Sequence, residues 1–498
     1  MRNLILFLCF FLSTLISFAQ APISLESAEI ADRIFDEAHK PKVSGQLLNY
    51  DAEKDKDLFI KYVQVQLGPE MQVTHMAEIN SDGSFELQLE NGLPYQQLWF
   101  SIGEYYYAEI LANTDLIIKA NLDKLRGKDI NWIAEGVEFS GNDAAVNRYV
   151  NKYISFRNER VKDLQMEEQQ LSMNREMELA EKIARRREIN EEYVKIEAKF
   201  IEKEGSAYAW LLENERLSEF YGQISIMHFG KEMDQSLLDE VFTHHPALVS
   251  NAGHAYYNYM GMMLQAFKTD EFLKKIENFP SVKASLIKMM AQPEDLYRRK
   301  AFLEKVLPGM EDGWVKTQMQ NTYEADIKHI VKIEESLKNT PPEEGKSNLG
   351  INKINFGEDT RLYFSTSENT TDLIQNIRGA FEGKAIILDV WATWCGPCIS
   401  DMKQSKQIKA DLKNLPVEVV YLCVADGSSE EKWKKKVAEL ELKGNHIFLN
   451  RKLSGELMSH FKFQGYPSYA FIDKEGKVYL DYISGISRID LEDLKKKL

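Results

Sequence analysis

The feature that most constrains this chain lies at residues 385–398, where a nearly unbroken apolar run, Ala385 to Val390, leads into Trp391-Ala392-Thr393-Trp394-Cys395-Gly396-Pro397-Cys398. Runs of that kind belong to strands covered on both faces, which requires helices on either side of a sheet. Downstream the pattern alternates: helix Pro397 to Lys413, strand Val417 to Val424, helix Ser429 to Leu442, a short strand around Ile447, helix Leu453 to Phe461, strands Ser468 to Ile472 and Lys477 to Tyr482, and a terminal helix from Ile489. This predicts a mixed α/β domain whose two closely spaced cysteines stand where the first buried strand meets its helix.

That junction has its own chemistry. A cysteine at a helix N-terminus faces unpaired backbone N–H groups and the positive end of the helix dipole, and both favour the thiolate. The interaction is roughly 0.3 to 2 kcal/mol, or up to about one and a half pKa units. Cys395 stands at the exposed start of the predicted helix and is the expected nucleophile. Cys398, one turn inward, is placed to resolve a mixed disulfide. Pro397 suits a first helical turn, where its missing N–H has no intrahelical acceptor. The competing reading, half a zinc site, needs two further ligands, and the chain beyond its first 19 residues offers only Cys423 and scattered histidines such as His244, His245 and His254. The expectation is no metal and no cofactor.

Trp394-Cys395-Gly396-Pro397-Cys398 is the active-site sequence of the thioredoxin family, and Val390-Trp391-Ala392-Thr393 before it resembles the TlpA and ResA branch of exported thiol-disulfide oxidoreductases. The resemblance spans about Ile354 to Leu498. It implies a thioredoxin fold, and it gives Asp389, six residues before Cys395, the role of a buried acid that moves protons to and from the resolving cysteine. The alternative for Asp389 is a strand-end residue paired to a neighbour. Tyr466-Pro467-Ser468 falls where the family has its cis-proline, so the resemblance makes Trp394, Gly396, Pro397, Tyr466 and Pro467 the lining of a groove for an extended substrate. The 72 positions from Cys395 to Pro467 fit the extra strand and helix of this branch. One departure is Asp401-Met402-Lys403, where the branch often has Glu-Met-Pro, which implies a weaker kink in the helix.

The first residues read as an export signal: Arg2, an apolar run from Leu4 through Ile16, then the small-residue site Ser17-Phe18-Ala19, giving a signal peptide over 1–19. An uncleaved anchor is the competing reading, although the run is shorter than a comfortable membrane span. No later stretch is long and apolar enough to span a bilayer. After signal removal only Cys395, Cys398 and Cys423 remain, too few for a disulfide-stapled exported fold, so the pair is there to react. With 62 basic against 77 acidic residues the net charge is −15, a field that repels phosphate backbones and argues against a nucleic-acid role.

Between these ends the chain changes period twice. Strand-like alternation, with Val63, Val65 and Leu67 or Phe85, Leu87 and Leu89 against polar neighbours, predicts a small antiparallel β-sandwich over 40–140. Tyr105, Tyr106 and Tyr107 near Trp99 are candidates for a recognition surface or for core. Neither Gly nor Pro occurs from Asn142 through Glu204, and helical spacing then continues, predicting an α-helical domain over 141–338. Residues 339–350, with Pro341-Pro342 and Gly345, read as a linker to a thioredoxin-like domain over 351–498. The whole resembles envelope proteins of the Bacteroidota type that carry long N-terminal extensions.

The expected function is a thiol-disulfide oxidoreductase of the periplasm or cell envelope. Its expected partners are disulfide-containing exported proteins and a membrane-linked thiol electron donor. Two alternatives stand beside it: a thiol peroxidase, and an envelope partner-binding protein in which the thioredoxin-like module is accessory.

Overall fold

The computed structural model describes residues 24–27, 29–68, 71–89, 91–127, 132–265, 274–277, 281–293, 295–339, 346–356 and 359–498. The expected signal segment 1–19 lies outside the described residues. The chain divides into two units, Met1–Thr322 and Tyr323–Leu498, and the helix Trp314–Asn339 runs through the division.

In the first unit, period-two alternation builds eight strands: β1 (Lys42–Leu48), β2 (Ile60–Val65), β3 (Gln72–Ala77), β4 (Ser84–Leu87), β5 (Gln96–Ile102), β6 (Tyr106–Ala112), β7 (Asp115–Asn121) and β8 (Val137–Ser140). They form two four-stranded sheets, β4-β1-β7-β8 and β3-β2-β5-β6. Val43, Leu47 and Ile118 of one sheet share a buried cluster with Tyr62, Leu98 and Phe100 of the other. The expectation of an antiparallel arrangement is corrected at one ladder: β1 and β7 run parallel, from Lys42 beside Asp115 to Leu48 beside Asn121. No hairpin joins these two strands. The chain builds other strands between them and returns, which permits a parallel pairing.

Helices follow at Ala144–Asn158, Lys162–Met173, Leu179–Glu204 and Ala209–Met227. The first of these covers strand β6, an edge of its sheet. Asn151 accepts from the Glu109 N–H at 3.1 Å and donates to the Glu109 carbonyl at 2.7 Å, and Asn147 does the same for Leu111 at 2.8 and 3.0 Å. Two asparagines one helical turn apart thus satisfy an edge that would otherwise offer unpaired backbone groups.

The second unit is one sheet of eight strands: β9 (Lys346–Ser347), β10 (Gly350–Phe356), β11 (Thr360–Phe364), β12 (Ala385–Trp391), β13 (Val417–Cys423), β14 (Gly444–Phe448), β15 (Ser468–Ile472) and β16 (Val478–Tyr479). The spatial order is β16-β15-β12-β13-β14-β11-β10-β9. Strands β12, β13, β14 and β11 are parallel, with β15 antiparallel beside β12. Every residue of β12 is buried, in keeping with its apolar run. Pairing begins at Lys346, inside the stretch read as a linker, and residues 340–345 of that stretch lie outside the described residues.

Three expectations change in detail. Helix Pro397 to Lys413 is two helices, Gly396–Gln404 and Lys406–Leu412, broken at Ser405 although Lys403 replaces the family's proline. At the break Ser405 is buried and its Oγ donates to the Met402 carbonyl three residues back, while the Asp401 side chain bonds residues 486–487. Strand Lys477 to Tyr482 shrinks to Val478–Tyr479, which pairs only at the edge with Phe471 and Ile472. The helix Thr370–Ala380 and strands β10 and β11 stand in addition to the elements expected from the sequence.

Candidate active site

Strand β12 ends at Trp391, and a turn sealed by the Cys395 N–H to the Ala392 carbonyl places Cys395 as the N-cap of helix Gly396–Gln404. Its Sγ accepts from the Cys398 N–H at 3.2 Å, the role an Asp or Ser oxygen usually fills. Cys395 and Cys398 are joined as a disulfide, with Cα atoms 5.3 Å apart, and Pro397 occupies the first turn. Cys395 is 3% exposed and Cys398 1%. The expectation of an exposed Cys395 is therefore corrected for the oxidised form, in which both sulfurs join the hydrophobic cluster of the unit.

Trp394 is the outward residue, 56% exposed. Its indole Nε1 donates to the Asp426 carbonyl at 2.6 Å, and its ring meets Tyr466 edge-on at 5.8 Å between centroids. The Tyr466-Pro467 peptide is cis. Beneath the indole lies Gly427 at φ +65, where a Cβ would stand 2.6 Å from Nε1, so only glycine fits both the backbone and the ring. The next residue, Ser428, accepts at Oγ from the Thr393 N–H at 3.0 Å and ties this loop to the turn before the cysteines.

Asp389 is 1% exposed, and neither carboxylate oxygen has a hydrogen-bond partner among the described residues. Burial, reinforced by Asp401 and opposed by Lys409, pushes its carboxyl up to about 8. A pairing with a neighbour, the alternative raised by the sequence, is not present. Asp401, one turn beyond Cys398, accepts from the Tyr469 phenol at 2.9 Å, from the Ile486 and Ser487 N–H groups at 2.9 and 3.1 Å, and from the Ser487 hydroxyl. Burial pulls the Lys409 ammonium down to about 8, with the two aspartates opposing. Cys423 is a packed thiol pushed up by burial, its strand position paired with Trp391.

The structure thus brings Asp389, Trp394, Cys395, Gly396, Pro397, Cys398, Tyr466 and Pro467 to one end of the central strands. Sequence reasoning missed Asp401, Lys409, Tyr469, Gly427 and Ser428 as parts of the site. Only Asp401 left a readable signal, since three residues beyond Cys398 it shares that helix face. The three histidines are dispersed: His244 bonds the Ser218 hydroxyl, His245 meets Glu26, and His254 bonds the Gly68 carbonyl. Half-buried on β5 and β6, Trp99 and Tyr107 stack with Trp132 against both, while Tyr106 is core.

Residues 364–498 match the Redoxin family model. Among curated proteins the chain is similar to thiol-disulfide oxidoreductase ResA of Bacillus thuringiensis subsp. konkukian, 27% identical over 118 residues, covering 24% of this chain and 65% of that protein. It is also similar to ResA of Oceanobacillus iheyensis, 30% identical over 97 residues, 20% of this chain and 48% of the relative. The chain therefore spans 65% of the length of the first of these relatives. Similar solved structures include the thioredoxin domain of a thiol-disulfide oxidoreductase from Bacteroides vulgatus, 20% identical, covering 24% of this chain and 81% of the other, with a TM-score of 0.22. Another is a thiol:disulfide interchange protein from Bacteroides sp., 21% identical, covering 24% and 74%, with a TM-score of 0.21.

Proposed function

Because its C-terminal third carries a Redoxin domain homologous to the ResA thiol-disulfide oxidoreductases, we propose that this protein reduces disulfides of exported proteins in the cell envelope through the Cys395–Cys398 pair. The observation that carries the reading is the pair itself: a disulfide at a helix N-terminus, one strand-end from an acid without hydrogen-bond partners among the described residues.

In the reaction the reduced pair meets a substrate disulfide. The Cys395 thiolate, with the Cys398 N–H and the helix dipole beside it, attacks one substrate sulfur; that S–S bond breaks and the second substrate sulfur leaves as a thiolate that takes a proton. Asp389 removes the Cys398 proton. The Cys398 thiolate attacks Cys395 Sγ, the mixed disulfide breaks, and the first substrate sulfur leaves with a proton. Two electrons pass to the substrate and the enzyme disulfide forms. Trp394, Tyr466 and Pro467 border the groove in which an extended substrate lies. A membrane-linked thiol donor restores the dithiol.

The envelope assignment rests on the N-terminal apolar segment and on the exported branch that the active-site sequence resembles. Among the described residues no helix is long and apolar enough to cross a membrane. Reduction of insulin disulfides by the full chain tests the activity, and Cys395→Ser should abolish it; an active serine variant would remove the proposed chemistry. Equilibration with glutathione tests direction, because a strongly oxidising potential would make the protein an oxidant.

A further inference from the structure

Towards the end of β13 opposite the cysteine turn, a cleft of about 680 Å³ lies between helix Lys406–Leu412 and strands β13, β14 and β11. That volume suits a small organic molecule. Six cations line it: Lys406, Lys409 and Lys413 from one helix and its C-cap, with Arg361, Lys384 and Lys443 from elsewhere in the chain. Only three carboxylates do, and each is taken. Asp359 is held by Lys413 at 3.2 Å and Lys443 at 3.5 Å, Glu418 by Lys384 and Asn445 at 3.0 Å each, and Glu441 by Lys332. Arg361 and Lys406 form no ion pair among the described residues, and Lys409 reaches only the Met402 carbonyl at 3.3 Å and the face of Tyr421 at 5.2 Å. In a chain of net charge −15, such a local excess of positive charge calls for a counter-charge.

A second observation points into the same space. Tyr421 lines the cleft, is 1% exposed, and its phenol oxygen has no hydrogen-bond partner among the described residues. A buried hydroxyl left without a partner is uncommon and marks a place that a bound group completes. The remaining wall is apolar, from Leu412, Val417, Leu440 and Leu442.

We propose that this cleft binds a small soluble anion carrying a hydrocarbon body, with the anionic head between Arg361, Lys406 and Lys409, a hydrogen bond from the Tyr421 phenol, and the body against the leucines. The cleft shares Lys409 with the surroundings of Asp389, and Tyr421 is the ladder neighbour of Asp389.

Titration calorimetry on the full chain with octyl phosphate, below its micelle concentration, tests the proposal, with inorganic phosphate and octanol as the two half-ligands. Saturable one-site binding is expected, at least about tenfold tighter than either half-ligand and at least about tenfold weaker in Arg361→Gln/Lys406→Gln. Tyr421→Phe should lose affinity severalfold while keeping its melting temperature. The proposal is overturned by absent binding, by an affinity unchanged in the double variant or in Tyr421→Phe, or by inorganic phosphate binding as tightly as octyl phosphate, which would indicate an adventitious ion only.

Discussion

Tyr469 donates its phenol to Asp401 from a strand position paired with Asp389. Two carboxylates therefore flank one tyrosine in opposite conditions: Asp401 accepts four hydrogen bonds, while Asp389, more deeply enclosed, accepts none among the described residues. Acids whose surroundings differ this much take different roles. Asp401 anchors the segment 486–487, and Asp389 is the one we propose to gain and lose a proton.

Cys398→Ser should accumulate covalent adducts through Cys395 when incubated with an oxidised envelope fraction, because the attacking sulfur remains and the resolving one is gone. Cys395→Ser should trap none. Mass spectrometry of the adducts checks both, and an equal yield from the two variants would reverse the assignment of nucleophile and resolving thiol.

Replacing Asp389 with Asn should slow release of substrate from the mixed disulfide more than its formation, and should remove an inflection near pH 8 from the rate of release. Stopped-flow measurement of the two steps separates them. Equal slowing of both steps would leave Asp389 without a proton-transfer role.

Asp389 also ties stability to pH. Its folded carboxyl, raised to about 8, holds a proton that the unfolded chain releases above the ordinary carboxyl value of 3.8, so stability is greatest below that range and falls as pH rises towards 8. Lys409, pulled down to about 8, acts in the opposite sense only above that pH. Asp389→Asn should therefore be more stable than the wild type at pH 8 by roughly a few kcal/mol, with little difference at pH 4. Alkylation of the buried Cys423 thiol in the oxidised protein reads opening of this unit. A pH-independent difference between the two proteins would contradict the linkage.

Asp401→Ala leaves the Ile486 and Ser487 N–H groups and the Tyr469 hydroxyl without their acceptor. A loss of about 1 to 3 kcal/mol is expected by the same thiol-labelling measurement. Asp401→Asn, which keeps one acceptor oxygen, should lose less.

Gly427→Ala forces a methyl to within 2.6 Å of the Trp394 indole and places a side chain at φ +65. Trp394 should swing off the Asp426 carbonyl, changing its fluorescence and its contact with Tyr466. Insulin reduction should fall severalfold while Cys395 keeps its alkylation rate in the reduced form. Unchanged fluorescence would show that the loop moves instead of the ring.

The apolar run of β12, the cysteine spacing and the proline in the first turn were readable directly, because strand burial and helix capping act over a few neighbouring residues. The alternation of residues 42–121 likewise revealed strands, but not the parallel pairing of β1 with β7, since register depends on where the intervening chain returns. The partners of Asp401 come from residues 469, 486 and 487, and the cations of the cleft from helix and strand ends about 80 positions apart. The sequence by itself determined the reactive pair and the buried strand that presents it. Only the tertiary structure decided which acid lacks partners, what holds Trp394 and where unmatched charge collects, because desolvation and hydrogen-bond geometry arise between segments that no local pattern connects.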